Sequence, residues 1–230
     1  MSPNKEKESD PLATIARTYP TGPLFVLVHG PEKVGKTHLA CTFPPPVHLI
    51  DTEGRGRIVL AKFPSDTHHL HSASNLDETR TALAEIHQAN TGGTIIVDSA
   101  TDLYDFVVVA HKDRLGKDPA KPVGLPIQWA PIQNEMRDLI RKIRRLGRFH
   151  LVLTERVKAE YEGEKATGKF LPRGFRELPH WVDLHLSLWP DETCRVESNG
   201  FVPRAASPAA LIDITYNGIR REILDRAYAQ

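Results

Sequence analysis

The sequence predicts an α/β fold in which a mainly parallel, twisted β-sheet carries helices on both faces. The first observation is a series of short apolar runs rich in β-branched residues, typical of buried strands, at 24–28, 47–50, 94–97 and 149–154. The second is that segments with helical spacing of apolar residues separate these runs. The third is that glycine or acidic residues follow the runs, which is where ligands bind in parallel sheets.

The first part of the chain supplies two strands and two helices. The run at 24–28 is the first strand, and a short helix is predicted over 36–42. Three prolines at 44–46 end this helix, because proline cannot continue one. Residues 47–50 form the second strand. The next helix is predicted over about 74–88, where Ser74 is a suitable N-cap.

The second part continues the alternation. In order, we predict a strand at 94–97, a helix at about 102–112, a Pro/Gly/Lys-rich loop at 115–126, a long amphipathic helix at about 131–146 and a strand at 149–154. The polar stretch at 155–179 has no clean hydrophobic period and is predicted to be a loop. After it come a strand at 181–189, a hairpin around residues 198–200 and a short amphipathic helix at 219–228.

An octet with the pattern G-x-x-x-x-G-K-[ST] lies between the first strand and the first helix. It consists of Gly30, Pro31, Glu32, Lys33, Val34, Gly35, Lys36 and Thr37, and His38 follows it. Glycines permit backbone angles at which successive N–H groups point at phosphate oxygens. In this pattern the lysine neutralises the β- and γ-phosphates, and the Thr hydroxyl binds Mg²⁺. The octet therefore predicts a nucleoside triphosphate site in which residues 30–38 bind the phosphates and Lys36 takes part in catalysis.

Acidic residues follow three of the strands and are expected at the same sheet edge as the octet. Asp98 ends the third strand and is predicted to direct Mg²⁺, with capping of the next helix as the alternative. Glu53 is predicted to orient or deprotonate the attacking water, with Asp51 or a structural role for the pair as the alternative. Glu155 follows the fourth strand and is predicted either to sense the γ-phosphate or to be a solvated or helix-capping residue.

Composition limits the possible functions. With 230 residues and 40% hydrophobic content, the chain can form one medium domain, predicted over 20–230, with residues 1–19 as a flexible tail. A formal net charge of +1 means that any contact with nucleic acid needs local patches. Two cysteines suit a reducing cytosol. Since neither a secretory signal nor an apolar span occurs, we predict a cytoplasmic location and no membrane partner.

Five segments occur in an order that points to one family. They are 30–37, 49–53, 95–99, 151–155 and 195–203, within roughly 20–205. In this order they resemble the RecA-like recombinase ATPases, most closely the small phage-encoded, core-only members used in single-strand annealing. The resemblance implies a RecA-like P-loop NTPase core with a C-terminal β-hairpin, and ATP with Mg²⁺ as ligands. Its most selective part is the Asp-x-Glu after the second strand, whose Glu is the catalytic carboxylate in this family and falls on Glu53.

The sequence departs from the family pattern in two places. The position after the fourth strand usually holds Gln or another polar sensor, and here it holds Glu155. The late hairpin of filament-forming relatives carries lysines that reach the neighbouring subunit's ATP, whereas the corresponding turn here offers Ser198 and Gly200.

The resemblance also implies two loops that contact single-stranded DNA, at about 112–128 and 156–176. Cations follow a phosphate backbone and aromatic rings stack on bases, and the second loop interleaves Tyr161, Phe170 and Phe175 with its cations. Acidic residues dilute its charge, so a solvated loop is the alternative. The predicted DNA-binding residues are Lys112, Arg114, Lys117, Arg156, Lys158, Lys165, Lys169, Arg173 and Arg176.

These observations predict an ATP-dependent recombinase that binds single-stranded DNA and promotes single-strand annealing in phage recombination. Rings or filaments of the chain, a single-strand-binding protein as a further partner and the bacterial host cytoplasm are part of the prediction. The ATPase is expected to depend on Mg²⁺, to be slow and to be stimulated by DNA. Two alternatives remain: an ATPase that acts on a protein partner without DNA, and a small-molecule kinase, for which 155–176 is the candidate lid.

Overall fold

The structure is a computed structural model of the chain, and it describes residues 22–89, 91–118, 129–145, 147–201 and 207–225. The predicted tail at 1–19, most of the predicted loop at 115–126 and the last residues of the predicted closing helix lie outside the described residues. The side chain of Lys169 lies outside them too.

A single sheet organises the described part of the chain. Its strands are β1 Phe25–Gly30, β2 Val47–Asp51, β3 His68–Ser72, β4 Gly93–Asp98, β5 Phe149–Glu162, β6 Lys165–Arg173, β7 Leu184–Leu188, β8 Cys194–Asn199 and β9 Ala210–Leu211. The order is β3-β2-β4-β5-β1-β7-β8-β9, and β6 pairs with β5. The ladders from β3 through β7 are parallel, whereas β6, β8 and β9 are added antiparallel.

Helices cover both faces of this sheet. They are α1 Lys36–Cys41, α2 Gly56–Leu60, α3 Leu76–Ala89, α4 Ala100–Arg114, α5 Trp129–Arg145, α6 Leu178–Trp181 and α7 Tyr216–Ile219, which continues as a π-helical turn, Arg220–Leu224. No described helix has the length and apolar character needed to cross a membrane. The predicted α/β class, with a mainly parallel sheet and helices on both faces, is confirmed.

The alternation of side chains along the central strands divides the core into two layers. Leu151 and Leu153 of β5 pack with α3, α4 and α5, whereas Val152 between them packs with α1 and the C-terminal helix. Since successive residues of a strand point to opposite faces, a continuous apolar run is what a sheet covered on both sides requires. The same alternation decides which residues at the strand ends reach the phosphate loop.

The segment at 155–179 is not a loop, contrary to our prediction. Strand β5 continues beyond the parallel sheet and turns at Gly163 into β6, so that residues 156–173 form an antiparallel hairpin, which we call the β5–β6 arm. The alternation of Val157, Ala159 and Tyr161 with polar residues is the strand signal that the prediction missed.

Other boundaries also differ from the prediction. The histidine-rich segment beginning at His68, where no strand was predicted, forms the edge strand β3, because it pairs with β2 along its whole length. The C-terminal hairpin is made by β7 and β8, so its turn lies at residues 189–193 and not at 198–200. The predicted strand at 181–189 begins only at Leu184, after the short helix α6.

Candidate nucleotide-binding site

The phosphate loop leaves β1 at Gly30 and enters α1 at Lys36. Gly30 has a φ of 154°, and a Cβ added there would lie 2.2 Å from the carbonyl oxygen of Leu188 in β7. Gly35 has a φ of 97° with open space around it, so the backbone angle rather than crowding requires glycine. Glycine is therefore required at Gly30 by the close approach of β7, and at Gly35 by the left-handed backbone conformation.

Lys36 lies over the backbone of its own loop. Its Nζ donates hydrogen bonds to the carbonyl oxygens of Gly30 at 2.9 Å and Pro31 at 2.6 Å. Burial lowers the pKa of the Lys36 ammonium, while the carboxylates of Asp98 and Glu53 act in the opposite direction. The cation is thus held near Asp98, the predicted Mg²⁺ ligand, and Glu53, the predicted catalytic carboxylate.

Asp98 is held by hydroxyl groups from two neighbouring elements. Thr37 donates from Oγ1 to Oδ2 at 2.7 Å, and Thr154 of β5 donates to Oδ1. Burial raises the pKa of Asp98, and the two hydroxyl bonds oppose that shift. Ser99 fills the N-cap position of α4 by accepting from the N–H of Asp102, so the alternative that Asp98 caps this helix is wrong.

The Thr37 and Asp98 pair fits Mg²⁺. Both side chains offer oxygen atoms, which this hard cation prefers, and Mg²⁺ keeps several waters, so it needs few protein ligands. The histidines of β2 and β3 do not form a comparable centre: among the described residues, no group of three or more His, Cys, Asp or Glu side chains is arranged to hold a metal ion.

Asp51 shapes the turn after β2. Its Oδ1 accepts from the N–H groups of Glu53 at 3.1 Å and Gly54 at 2.8 Å, and its Oδ2 accepts from Gly56 at 2.7 Å. The side chain is buried, and both of its oxygens accept hydrogen bonds from the backbone. Asp51 is therefore a structural carboxylate that holds Glu53 in place, and the alternative of Asp51 as the base is disfavoured.

Glu53 and Asp102 share one arginine, Arg156. Arg156 donates from Nε to Oε1 of Glu53 at 2.9 Å and from Nη2 to Oδ2 of Asp102 at 2.7 Å. Burial lowers the pKa of Arg156, but the two carboxylates outweigh it and leave the pKa above its ordinary value. Burial raises the pKa of Asp102, and Ser99 and Arg156 oppose this shift.

Of these groups, Lys36, Thr37, Glu53, Asp98 and Arg156 line one cavity of about 590 Å³ at the carboxyl edge of the sheet. Its lining consists of Glu32, Lys33, Gly35, Lys36, Thr37, His38, Glu53, Arg55, Ile58, Val59, Lys62, Asp98 and Arg156. The lining combines the phosphate loop and the carboxylates with the apolar side chains of Ile58 and Val59 from α2. A separate cavity of about 680 Å³, between α3, α4 and α5, contains none of the loop residues.

Glu155 does not reach this cavity, contrary to the prediction that it senses the γ-phosphate. Thr154 points to Asp98, so the next residue of the strand points to the opposite face of the sheet. A Cβ added at Gly174 would lie 2.7 Å from Oε1 of Glu155 and 3.5 Å from Cα of Thr101. The Glu155 side chain is fully buried, so a solvated role is also wrong.

Two of the predicted DNA-binding residues have other surroundings. Arg156 lies in the nucleotide cavity, and Lys112 is buried in α4. Arg114 pairs with Glu135 of α5, whereas Lys117 is exposed. Phe175, predicted to stack on bases, is a core residue packed near Tyr104. Lys158, Lys165, Arg173 and Arg176 are exposed, the first three of them on the β5–β6 arm.

Sequence reasoning did not assign three residues to the nucleotide site: Thr154, Asp102 and Arg156, the last of which was predicted to bind DNA. Thr154 and Arg156 flank Glu155, and the alternation of β5 is the signal that places both of them on the face of Asp98. Asp102 was visible only as a residue of the first turn of α4.

A parallel sheet in this order, with a phosphate loop after β1 and carboxylates at the ends of β2 and β4, is the architecture of a P-loop NTPase core. The chain belongs to the AAA domain family, whose model matches residues 23–200. No curated protein matches its sequence.

Two solved structures are similar to the chain at low sequence identity. The RadB recombinase superposes with a TM-score of 0.48 at 18% identity, over 79% of this chain and 84% of RadB. An ATPase from the type III secretion system of pathogenic bacteria superposes with a TM-score of 0.47 at 14% identity, over 83% of this chain and 56% of that ATPase.

Proposed function

We propose that this chain is a Mg²⁺-dependent ATPase that binds single-stranded DNA and promotes single-strand annealing in phage recombination. It acts as a ring or filament of identical chains in the cytoplasm of the bacterial host, with a single-strand-binding protein as a further partner. The observation that supports the ATPase part is that Lys36, the Thr37–Asp98 pair and Glu53 line one cavity. The exposed cations and aromatic rings of the β5–β6 arm support the DNA part.

The residues of the cavity divide the hydrolysis step between them. The loop and Lys36 hold the β- and γ-phosphates. Thr37 and Asp98 would hold Mg²⁺, which would supply neutralisation of the charge on the phosphate oxygens. A water oxygen forms a bond to the γ-phosphorus while the bond to the oxygen bridging the β- and γ-phosphorus atoms breaks. Glu53 accepts the proton that this water loses. The products are ADP and inorganic phosphate.

Lys36→Ala is expected to weaken Mg·ATP binding by about tenfold to a hundredfold or more, because charge-assisted hydrogen bonds contribute roughly 1.5–3 kcal/mol. Isothermal titration calorimetry measures the loss directly. Lys142→Ala is the matched control, since Lys142 is an exposed lysine of α5 outside the nucleotide cavity. Equal dissociation constants for the Lys36 variant and the wild type would contradict the phosphate-binding role.

The β5–β6 arm combines charge with exposed aromatic surface. Tyr161 is 62% exposed and Phe170 is 46% exposed, values unusual for large rings in a folded domain. Phe170 also lies 5.5 Å from the ring of Trp189 in the neighbouring hairpin. Lys158, Lys165 and Arg173 are exposed along the same arm. Rings that accept base stacking beside cations that follow a phosphate backbone are the elements of non-specific single-strand binding.

Replacing Lys158, Lys165 and Arg173 together by Gln is expected to weaken binding of a fluorescent oligo-dT by at least about tenfold near 0.1 M salt. The slope of log affinity against log salt should also fall by about 2, since each single-strand phosphate contact contributes about 0.7. A triple Gln variant at Lys142, Arg145 and Arg220 is the control with the same change of charge, since these three lie outside the arm and are exposed.

The same oligo-dT distinguishes an ATPase that binds single-stranded DNA from an ATPase that acts on a protein partner without DNA. We expect it to raise the ATPase rate of the wild type, and the arm variant should lose that stimulation while retaining the rate measured without DNA. Undiminished DNA affinity of the arm variant would contradict the assignment of the arm. An ATPase rate indifferent to DNA would instead favour a protein partner.

A further inference from the structure

The turn between β7 and β8 lies beside the β5–β6 arm and is held together by its own hydrogen bonds. The N–H of Trp189 donates to the carbonyl oxygen of Thr193 at 3.0 Å. Oδ1 of Asp191 accepts from the N–H of Thr193 at 3.2 Å and from its Oγ1 at 2.6 Å. Since these bonds close the turn, its side chains start from a defined backbone.

The indole ring of Trp189 is oriented by its polar edge. Its Nε1 donates to Oγ of Ser187 at 3.0 Å, and this hydroxyl donates to Oε1 of Glu197. The ring of His29 meets the indole at 90°, with 6.4 Å between the ring centroids. The side chain of Trp189 is nevertheless only partly buried. An indole whose N–H is bonded in this way can offer a face of its ring for stacking.

A cleft of about 670 Å³ lies between this turn and the arm. Its lining, which defines what we call the turn–arm cleft, consists of Gly168, Phe170, Trp189, Pro190, Asp191 and Arg195. Phe170 of β6 is exposed over almost half of its surface, and its ring lies 5.5 Å from that of Trp189. None of these described residues lines the nucleotide cavity, so the cleft is a second, separate site.

Arg195 gives the cleft a cation. Its guanidinium carbon lies 5.6 Å from the centre of the Trp189 ring, and its side chain is 55% exposed. The ion pair with Asp191 is long, with 3.9 Å between Nη2 of Arg195 and Oδ2 of Asp191. A guanidinium over an aromatic ring can still donate to a phosphate oxygen. The cleft therefore combines two aromatic rings with a cation that is accessible to an anion.

We propose that the turn–arm cleft holds one nucleobase of single-stranded DNA, stacked on Trp189 and Phe170, while Arg195 contacts a flanking phosphate. The proposal rests on the proposed DNA-binding function and extends the contact surface from the arm to the turn between β7 and β8. Every base has a π-face, so this stacking is tolerant of sequence. A proline-rich peptide also binds grooves lined by aromatic rings, but its backbone carries no charge for Arg195 to pair with. The position of Arg195, together with the exposed cations of the neighbouring arm, favours the nucleic acid.

Equilibrium binding of a fluorescent oligo-dT tests the stacking. Trp189→Leu is expected to weaken binding roughly fivefold to a hundredfold, the range that the loss of one stacked base gives. The slope of log affinity against log salt should stay unchanged, since no phosphate contact is removed. Trp189→Phe keeps an aromatic ring and should recover part of the affinity. Trp181→Leu is the matched control, because Trp181 is also partly buried and has the guanidinium of Arg141 at 5.1 Å from its ring centre.

Arg195→Gln tests the phosphate contact. We expect weaker binding of the oligo-dT and, unlike in Trp189→Leu, a salt slope that is smaller by about 0.7, the share of one single-strand phosphate contact. This variant leaves both rings in place, so it tests the cleft even where replacement of Trp189 disturbs the fold. Arg220→Gln is the control, since Arg220 is exposed on the π-helical turn and does not line the cleft.

Intrinsic fluorescence reports stacking on Trp189 directly. A base stacked on an indole quenches its emission, and the chain has three tryptophans. Saturating oligo-dT should quench the wild type and Trp181→Phe, whereas Trp189→Phe should show little quenching. Quenching of equal size in the Trp181→Phe and Trp189→Phe variants would mean that the base does not stack on Trp189.

The possible failures are distinguishable. A wild type that does not bind oligo-dT would overturn the DNA part of the proposed function together with this inference. Wild-type affinity and salt dependence in both Trp189→Leu and Arg195→Gln, with binding still impaired in the arm variant, would overturn the role of the cleft alone. Quenching of Trp189 by a short polyproline peptide but not by oligo-dT would also overturn it, in favour of a peptide site.

Discussion

Glu53→Gln is expected to lower the turnover number for ATP by about 10²–10⁴-fold, the range that general base catalysis supplies. The glutamine side chain has the same shape, and its amide oxygen can still accept the hydrogen bond from Nε of Arg156. It cannot take a proton from water at neutral pH. Since the phosphate loop, Lys36 and Asp98 are unchanged, the dissociation constant for Mg·ATP should stay within about threefold of the wild type.

Single-turnover kinetics measure the rate of hydrolysis, and calorimetry measures the dissociation constant for Mg·ATP. Glu85→Gln on α3 is a suitable control, because Glu85 is an exposed glutamate remote from the cavity lining. Wild-type turnover in Glu53→Gln would show that another group takes the proton. Loss of ATP binding in the same variant would show instead that Glu53 serves the architecture of the site, as Asp51 does through its bonds to the turn.

The phosphate loop and Asp98 could be predicted from sequence because their signals are local. Gly30, Gly35, Lys36 and Thr37 belong to one turn between a strand and a helix, and the spacing between them is fixed by that turn. Asp98 needs only a buried strand before it. The parallel sheet then brings it to the loop, where Thr37 bonds to it across 61 residues of sequence.

The roles of Glu155 and Arg156 could not be assigned in the same way, because they depend on where β5 ends. If a loop begins at residue 155, either side chain can turn toward the nucleotide. In the structure the strand continues, and the phase set by Thr154 places Arg156 on the cavity side and Glu155 on the other. The alternation at Val157, Ala159 and Tyr161 is a strand signal in the sequence. It is a weak one, because these residues follow the buried apolar run and are not part of the core.

The other features that could not be predicted depend on contacts between segments that are distant in the sequence. Arg156 meets Glu53 across 103 residues and Asp102 across 54, and neither partner is suggested by the spacing of residues. The edge strand β3 is defined by its pairing with β2 and not by its composition, since three of its five residues are histidines. Such polar edge strands carry little β-propensity of their own.

Glu155→Met is expected to stabilise the protein above neutral pH. The Glu155 side chain is fully buried, and neither of its carboxyl oxygens has a hydrogen-bond partner among the described residues. Burial raises the pKa of this carboxyl from its ordinary 4.5 to about 8. The folded state therefore holds a proton that the unfolded state has released. The loss of folding stability caused by ionisation of Glu155 is absent below pH 4.5. It grows as pH rises toward about 8 and is constant above that value.

Methionine has a similar length and no charge, so the variant should lack this pH dependence, and its buried thioether needs no hydrogen bond. Urea unfolding at pH 6 and pH 9 measures the effect: the variant's advantage in free energy of unfolding should be larger at pH 9 than at pH 6 by roughly 3 kcal/mol. Glu164→Met, in the exposed turn of the arm, controls for the loss of a glutamate. An equal difference between wild type and Glu155→Met at both pH values would mean that the Glu155 carboxyl ionises in the folded protein as readily as in the unfolded chain.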